Sequence, residues 1–139
     1  MATYNKFEQF VEDLGSGFHQ LHAAGHALYV YATNNTPSAS LDAVKADLLT
    51  ATEQNGYAAA DMQQDFTQTS GTGTLTATDV VWTATGAGFG PIRYVPFYNE
   101  TQTSPADPLI GWWDYGSSVS PAAGETFTVD FGASVFTLA

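Results

Sequence analysis

The chain contains no cysteine, which excludes disulfide staples, thiolate nucleophiles and thiolate metal sites. Its stability has to come from packing, sheet pairing or assembly. Positive charge is nearly as scarce. Lys6, Lys45 and Arg93 are the only Lys or Arg residues against 14 Asp and Glu, for a formal net charge of -11. Proteins that hold nucleic acid neutralise phosphates with several Lys or Arg side chains, so this balance argues against sequence-independent binding of DNA or RNA. An anionic membrane would repel the same surface. No stretch approaches the roughly 18 to 20 consecutive apolar residues of a bilayer-crossing helix. Met1 to Lys6 lacks the charged and apolar blocks of a secretory signal. We therefore expect a soluble protein made in the cytoplasm, with no nucleic-acid and no membrane partner.

What is present is apolar and aromatic. With 139 residues, 44% of them hydrophobic, the chain has the size of one domain over 1–139 and enough apolar residues for one core. Phe, Trp and Tyr make up 14% of so short a chain, a surplus that points to a partner surface as well as a core.

Hydrophobic spacing predicts two helices. Phe7, Phe10, Val11 and Leu14 recur at i, i+3, i+4 and i+7, with Glu8, Gln9, Glu12 and Asp13 on the other side, and Gly15-Ser16-Gly17 stops the pattern. Leu41, Val44, Leu48 and Leu49 have helical spacing within Ser40 to Ala51, and Ser40 is placed to cap that segment. Leu28 to Thr33 reads as a strand ending at the turn Asn34-Asn35-Thr36-Pro37.

From Tyr57 onward short Thr-rich and aromatic segments alternate with Gly, Pro, Asn and Asp clusters, the spacing of a sandwich or barrel. The expected strands are Asp61 to Thr69, Thr72 to Ala77, Val80 to Thr85, Ile92 to Tyr98, Leu109 to Tyr115, Thr126 to Phe131 and Val135 to Leu138. Phe127, Val129 and Phe131 alternate with Thr126, Thr128 and Asp130, so one face is buried. Pro96 has no N–H for a ladder, which places Ile92 to Tyr98 at a sheet edge or a bulge. The expected fold is mainly β: an antiparallel β-sandwich, jelly-roll or Ig-like, with one N-terminal helix and a second short helix.

Chemistry-bearing patterns are weak. His19, His22 and His26 at i, i+3 and i+7 would share one face of a helix, an arrangement a metal site could use. Gly17 and Gly25 oppose a helix there, and three histidines loosely placed before a strand is the plainer reading. Gly15-Ser16-Gly17 lacks the spacing of a nucleophile elbow. Gly86 to Gly90 has no following lysine and leads into Pro91 and a strand, so it reads as a β connection and not a phosphate cradle. Asp61 and Asp65 fall near each other as some of 14 acidic residues must, and no dense calcium-loop pattern occurs. We expect no catalytic residue, no cofactor and no metal, and so no enzyme.

Trp112, Trp113 and Tyr115 lie in one expected strand, with Trp112 and Asp114 on one face and Trp113 and Tyr115 on the other. Trp and Tyr are favoured interface anchors. Aromatic strips also stack on sugar rings, so a glycan-binding module competes, and internal packing of both tryptophans is the bland alternative.

Read as strings, KFEQFVEDL from Lys6, YVYATNNTP from Tyr29, GPIRYVPFYNET from Gly90, PLIGWWDYGSSVS from Pro108 and GETFTVDF from Gly124 resemble a family of small virion proteins encoded among the structural genes of tailed bacteriophages. The similarity covers most of the chain and is most specific at GWWDYG; it carries no catalytic motif. It implies a virion structural protein whose partners are the major capsid protein or other virion components. An acidic chain is poorly suited to touching packaged DNA, which favours the outer capsid surface and the role of a decoration or cement protein. The alternatives are a tail, baseplate or fibre-associated component, and a host glycan or receptor binder. Candidate anchors are Phe7, Phe10, Trp112, Trp113 and Tyr115. A homo-oligomer, favoured as a trimer, would bury aromatic surface that a monomer cannot.

Overall fold

The computed structural model describes residues 2–139. Ten strands and one α-helix follow one another as β1 (Tyr4–Lys6), α1 (Gln9–Gly15), β2 (Leu28–Val30), β3 (Ala60–Asp61), β4 (Asp65–Thr69), β5 (Thr72–Thr76), β6 (Val80–Thr83), β7 (Ile92–Asn99), β8 (Leu109–Val119), β9 (Thr126–Val129) and β10 (Phe136–Leu138). They form a five-stranded sheet in the order β1-β8-β7-β2-β3, a three-stranded sheet β10-β5-β4 and a two-stranded sheet β6-β9. Every pairing is antiparallel. The described residues are thus mainly β, with packed antiparallel sheets and a single α-helix, as the strand spacing predicts.

The main core lies between the five-stranded sheet and the two smaller ones, where Val30, Phe97 and Ile110 meet Leu75, Trp82 and Phe127. A second cluster of Phe7, Tyr31, Leu48, Tyr98 and Leu109 covers the opposite face of the same sheet. This is why β7 is buried along almost its whole length.

Three expectations are corrected. Ser40 to Ala51 contains only a 3-10 turn, Lys45–Asp47. Short acidic side chains there bond to nearby backbone, Asp42 Oδ2 accepting from the Ser38 N–H and Asp47 Oδ2 from those of Ala43 and Val44, an alternative to the helical ladder. The segment is also drawn to the start of β8: Val44 bridges Pro108, and the Leu109 N–H donates to the Ala43 carbonyl. Leu48 alone among its leucines is buried, while Leu41 and Leu49 are exposed.

The segment read as one strand from Asp61 to Thr69 is two, broken at Gln63 with φ +47°.

The strand containing Pro96 is central, which corrects the edge alternative, while its ladder with β8 is bulged at Ile92/Tyr94 and at Phe97/Tyr98, in keeping with the other. Residues of one antiparallel strand direct N and C=O to the same neighbour, and the Pro96 carbonyl accepts from the Tyr31 N–H. The missing donor therefore faces the position where β2 has just ended at Val30; pairing with β7 resumes only at the isolated Thr33–Tyr94 bridge.

Two irregularities in β8 shape one side of the molecule. Phe97 faces Gly111 and Tyr98 faces Leu109, so Ile110 is an extra residue in the ladder. Further on, Ile92 faces Val119 and Tyr94 faces Asp114, so Tyr115 to Ser118 stand opposite Arg93 alone. The second bulge is wide, and Gly116 takes its turn at φ +99°.

A candidate protein-binding groove

A concavity of about 550 Å³ lies between β8 and β9 and is lined by Tyr4, Trp113, Tyr115, Phe127, Phe131 and Val135 among others. Each aromatic is placed by local structure. Trp113 stacks on Phe97 of the neighbouring strand at 5.3 Å between ring centroids and meets Phe131 edge-on at 5.6 Å. Tyr4 is set opposite Trp113 by the short β1 pairing and lies 5.9 Å from its ring. Burial against that wall and against Phe136 raises the Tyr4 phenol well above its usual pKa. Tyr115, carried out by the wide bulge, reaches Phe127 of β9 at 5.2 Å and remains 55% exposed.

Polar contacts fix the frame. Arg93 Nε and Nη2 donate to the two oxygens of Asp114 at 2.9 and 3.1 Å. The Gly116 N–H donates to Asp114 Oδ1 at 2.8 Å, which ties the bulge to the same carboxylate. These bonds hold the Asp114 carboxyl below its ordinary pKa, the Arg93 bond contributing most. At the far end of β9, Asp130 Oδ1 accepts from the Gly132 N–H and Asp79 Oδ1 from the Phe131 N–H, which directs Phe131 into the groove.

Of the expected anchors, the structure brings Trp113 and Tyr115 together on this surface. Trp112 is on the other face, half-buried against Phe7 at 4.5 Å. The alternation read along β8 thus holds for the three aromatics. Phe7 and Phe10 are corrected: at 0% and 2% exposure they are core residues, unavailable to a partner while the chain keeps this fold. Tyr4 was not singled out in the sequence, and Phe131 was read as part of a buried strand face and not as an anchor. β1 is three residues long and carries too little alternation to read, whereas Phe131, two residues beyond β9, continues the alternation of Phe127 and Val129.

The histidines lie outside any helix, and His22 is exposed. His19 and His26 each present Nδ1 to the Asn99 side-chain amide, at 3.1 and 2.9 Å. Asn99 Oδ1 accepts from the Thr101 and Gln102 N–H groups, which orients the amide nitrogen toward the two rings. Among the described residues no group of three or more His, Cys, Asp or Glu could hold a metal ion. Asp61 Oδ1 accepts from the nearby Gln63 N–H, and Asp65 Oδ1 accepts from the Phe66 N–H and from the distant Ala23 N–H. The Gly86 to Gly90 stretch is a close-packed connection, since a Cβ on Gly88 would stand 2.2 Å from the Pro121 carbonyl oxygen. Among the described residues no helix is long and apolar enough to cross a membrane.

Comparison with protein-family models, with curated proteins and with solved structures gives no match. Fold and site together define a mainly β protein with an open aromatic groove at a junction of two sheets.

Proposed function

We propose that the chain is a structural protein of a tailed-phage virion, a decoration or cement protein that binds the outer surface of the capsid through protein–protein contacts. The observation that carries this reading is the groove itself: aromatic, open, and flanked by an exposed tyrosine in a chain of net charge -11. Exposed Tyr beside a half-buried Trp is the composition of an interface hot spot, where a rigid ring fills a partner's pocket and excludes water. The resemblance of the GWWDYG stretch to small phage virion proteins supports the same assignment, since this stretch supplies Trp113, Asp114 and Tyr115. The acidic surface favours a position away from packaged DNA.

The test is a cryo-electron microscopy reconstruction of the parent particle with this chain traced in the density. Density on the outer shell, with Trp113 and Tyr115 at a contact, is the expected result. Density confined to the tail or baseplate moves the chain to a tail component, and absence from the particle overturns the structural reading.

A further inference from the structure

We propose that the free edge of β9 accepts an extended segment of a partner protein as an added strand, and that this segment is apolar at alternate positions with a Lys or Arg at each end. The inference rests on the protein-binding reading above and names the chemistry of the partner.

The first support is the backbone. β9 has a ladder partner on one side only, β6, in continuous register from Val80–Val129 to Thr83–Thr126. A bare strand edge is a template for pairing, which proteins ordinarily blunt with proline, lysine, bulges or a covering loop. β9 contains neither proline nor lysine, its pairing has no bulge, and the groove runs beside it. Adding a strand to such an edge gives affinity through main-chain bonds, while pockets for alternate side chains give selectivity. The groove supplies the apolar pocket between Trp113, Tyr115 and Phe131.

The second support is charge. Glu125 precedes β9 and Asp130 follows it, both exposed, and among the described residues neither meets a cation; the one ion pair is Arg93–Asp114. Two carboxylates five positions apart on extended chain are separated by about 17 Å, the span of a six-residue strand. Basic residues at both ends of the incoming segment complement them. A second copy of this chain does not, because it brings the same carboxylates and a further net charge of -11. Its cations are largely committed as well, Arg93 to Asp114 and Lys45 to the ring and hydroxyl of Tyr98.

The experiment is a nuclear magnetic resonance titration of the whole chain with three capped hexapeptides: Lys-Val-Thr-Val-Thr-Lys, the same sequence with Glu at both ends, and the lysine form with proline at its third position. We expect the lysine peptide to shift the amides of Thr126 to Asp130 and the Trp113 indole N–H. The glutamate peptide should bind at least about tenfold more weakly, and the proline peptide should not bind. Asp130→Asn combined with Glu125→Gln keeps the acceptors for the Gly132 and Ala122 N–H groups and should erase the preference for lysine ends. No shift at about 1 mM peptide, shifts elsewhere, or equal binding of the lysine and glutamate forms overturns the proposal. So do shifts at β9 that depend on protein concentration without peptide, which would assign the edge to a second copy. Particle reconstruction separates this from the functional reading: a chain seated on the capsid by another surface removes the groove inference alone, while peptide binding by a chain absent from particles removes the virion assignment alone.

Discussion

Arg93 and Asp114 face each other across the step where β8 leaves β7, joined by two hydrogen bonds of 2.9 and 3.1 Å. The pair stands at the base of the bulge that carries Tyr115 toward β9. Both side chains are 38% exposed, so the contact acts through geometry more than through global stability. It fixes one carboxylate that also receives the Gly116 N–H, and thereby sets where the exposed aromatic points.

Asp114→Ala should therefore loosen the bulge without unfolding the chain. The Gly116 amide should exchange with solvent faster, and the Tyr115 ring should lose its fixed position against Phe127. Asp114→Asn keeps an acceptor for the Gly116 N–H and should be intermediate. The folded Asp114 pKa is depressed, so the stabilisation exists above the ordinary carboxylate pKa and is lost as pH falls through the folded value. Amide exchange at Gly116 is the measurement; a rate unchanged in Asp114→Ala would show that the carboxylate does not hold the bulge.

Phe7→Ala and Tyr115→Ala should separate packing from binding. Phe7 is fully buried against Trp112, and its truncation should cost about 3–5 kcal/mol in chemical denaturation. Tyr115 is more than half exposed, so its truncation should leave denaturation within about 1 kcal/mol of the parent chain. Its attachment to particles should nevertheless weaken at least about tenfold, as for an interface anchor. Particle binding that is unaffected by Tyr115→Ala would remove the groove from the contact.

These contrasts show where the sequence is informative. Phe127, Val129 and Phe131 read as one buried face because strand period 2 is visible whenever the other face is wet. The sides taken by Trp112, Trp113 and Tyr115 follow from the same rule, whereas the distinction between a core and a surface aromatic does not. Phe7 and Phe10 form part of an apolar stripe whether the stripe meets its own core or a neighbour. The bulge at Tyr115 to Ser118 was illegible because Gly116-Ser117-Ser118 has the composition of a loop, so β8 read as ending at Tyr115. Ser40 to Ala51 carries helical spacing, but Asp42 and Asp47 bond to the backbone locally, a competition that apolar spacing does not register.

Gly111 tests how closely β1 must approach β8 to close the groove. A Cβ at this position would lie 2.5 Å from the Tyr4 ring and 2.7 Å from the Asn5 carbonyl oxygen. Gly111→Ala should push β1 outward, displace Tyr4 from Trp113 and cost about 1–3 kcal/mol as an overpacked site. Trp113 fluorescence should shift to longer wavelength as water reaches the ring. Unchanged stability and emission would mean that β1 contributes nothing to the wall.

His19 provides a pH signature independent of the groove. It is 7% exposed, its ring lies 5.2 Å from Phe10, and its Nδ1 faces the Asn99 amide while His26 shares the same donor. Burial, with a smaller contribution from His26, lowers its pKa to about 4. The unfolded ring titrates near the ordinary value of about 6.5. Above that pH neither state is protonated and the contribution is fully present; as pH falls, the unfolded state takes up a proton first and the stabilisation is lost until the folded ring titrates near 4. The loss attributable to this ring is at most about 3 kcal/mol across the window. His19→Gln retains an acceptor for Asn99 and should flatten the difference between denaturation at neutral pH and at the acid end of that window. An equally steep acid loss in the variant would transfer the effect to the carboxylates.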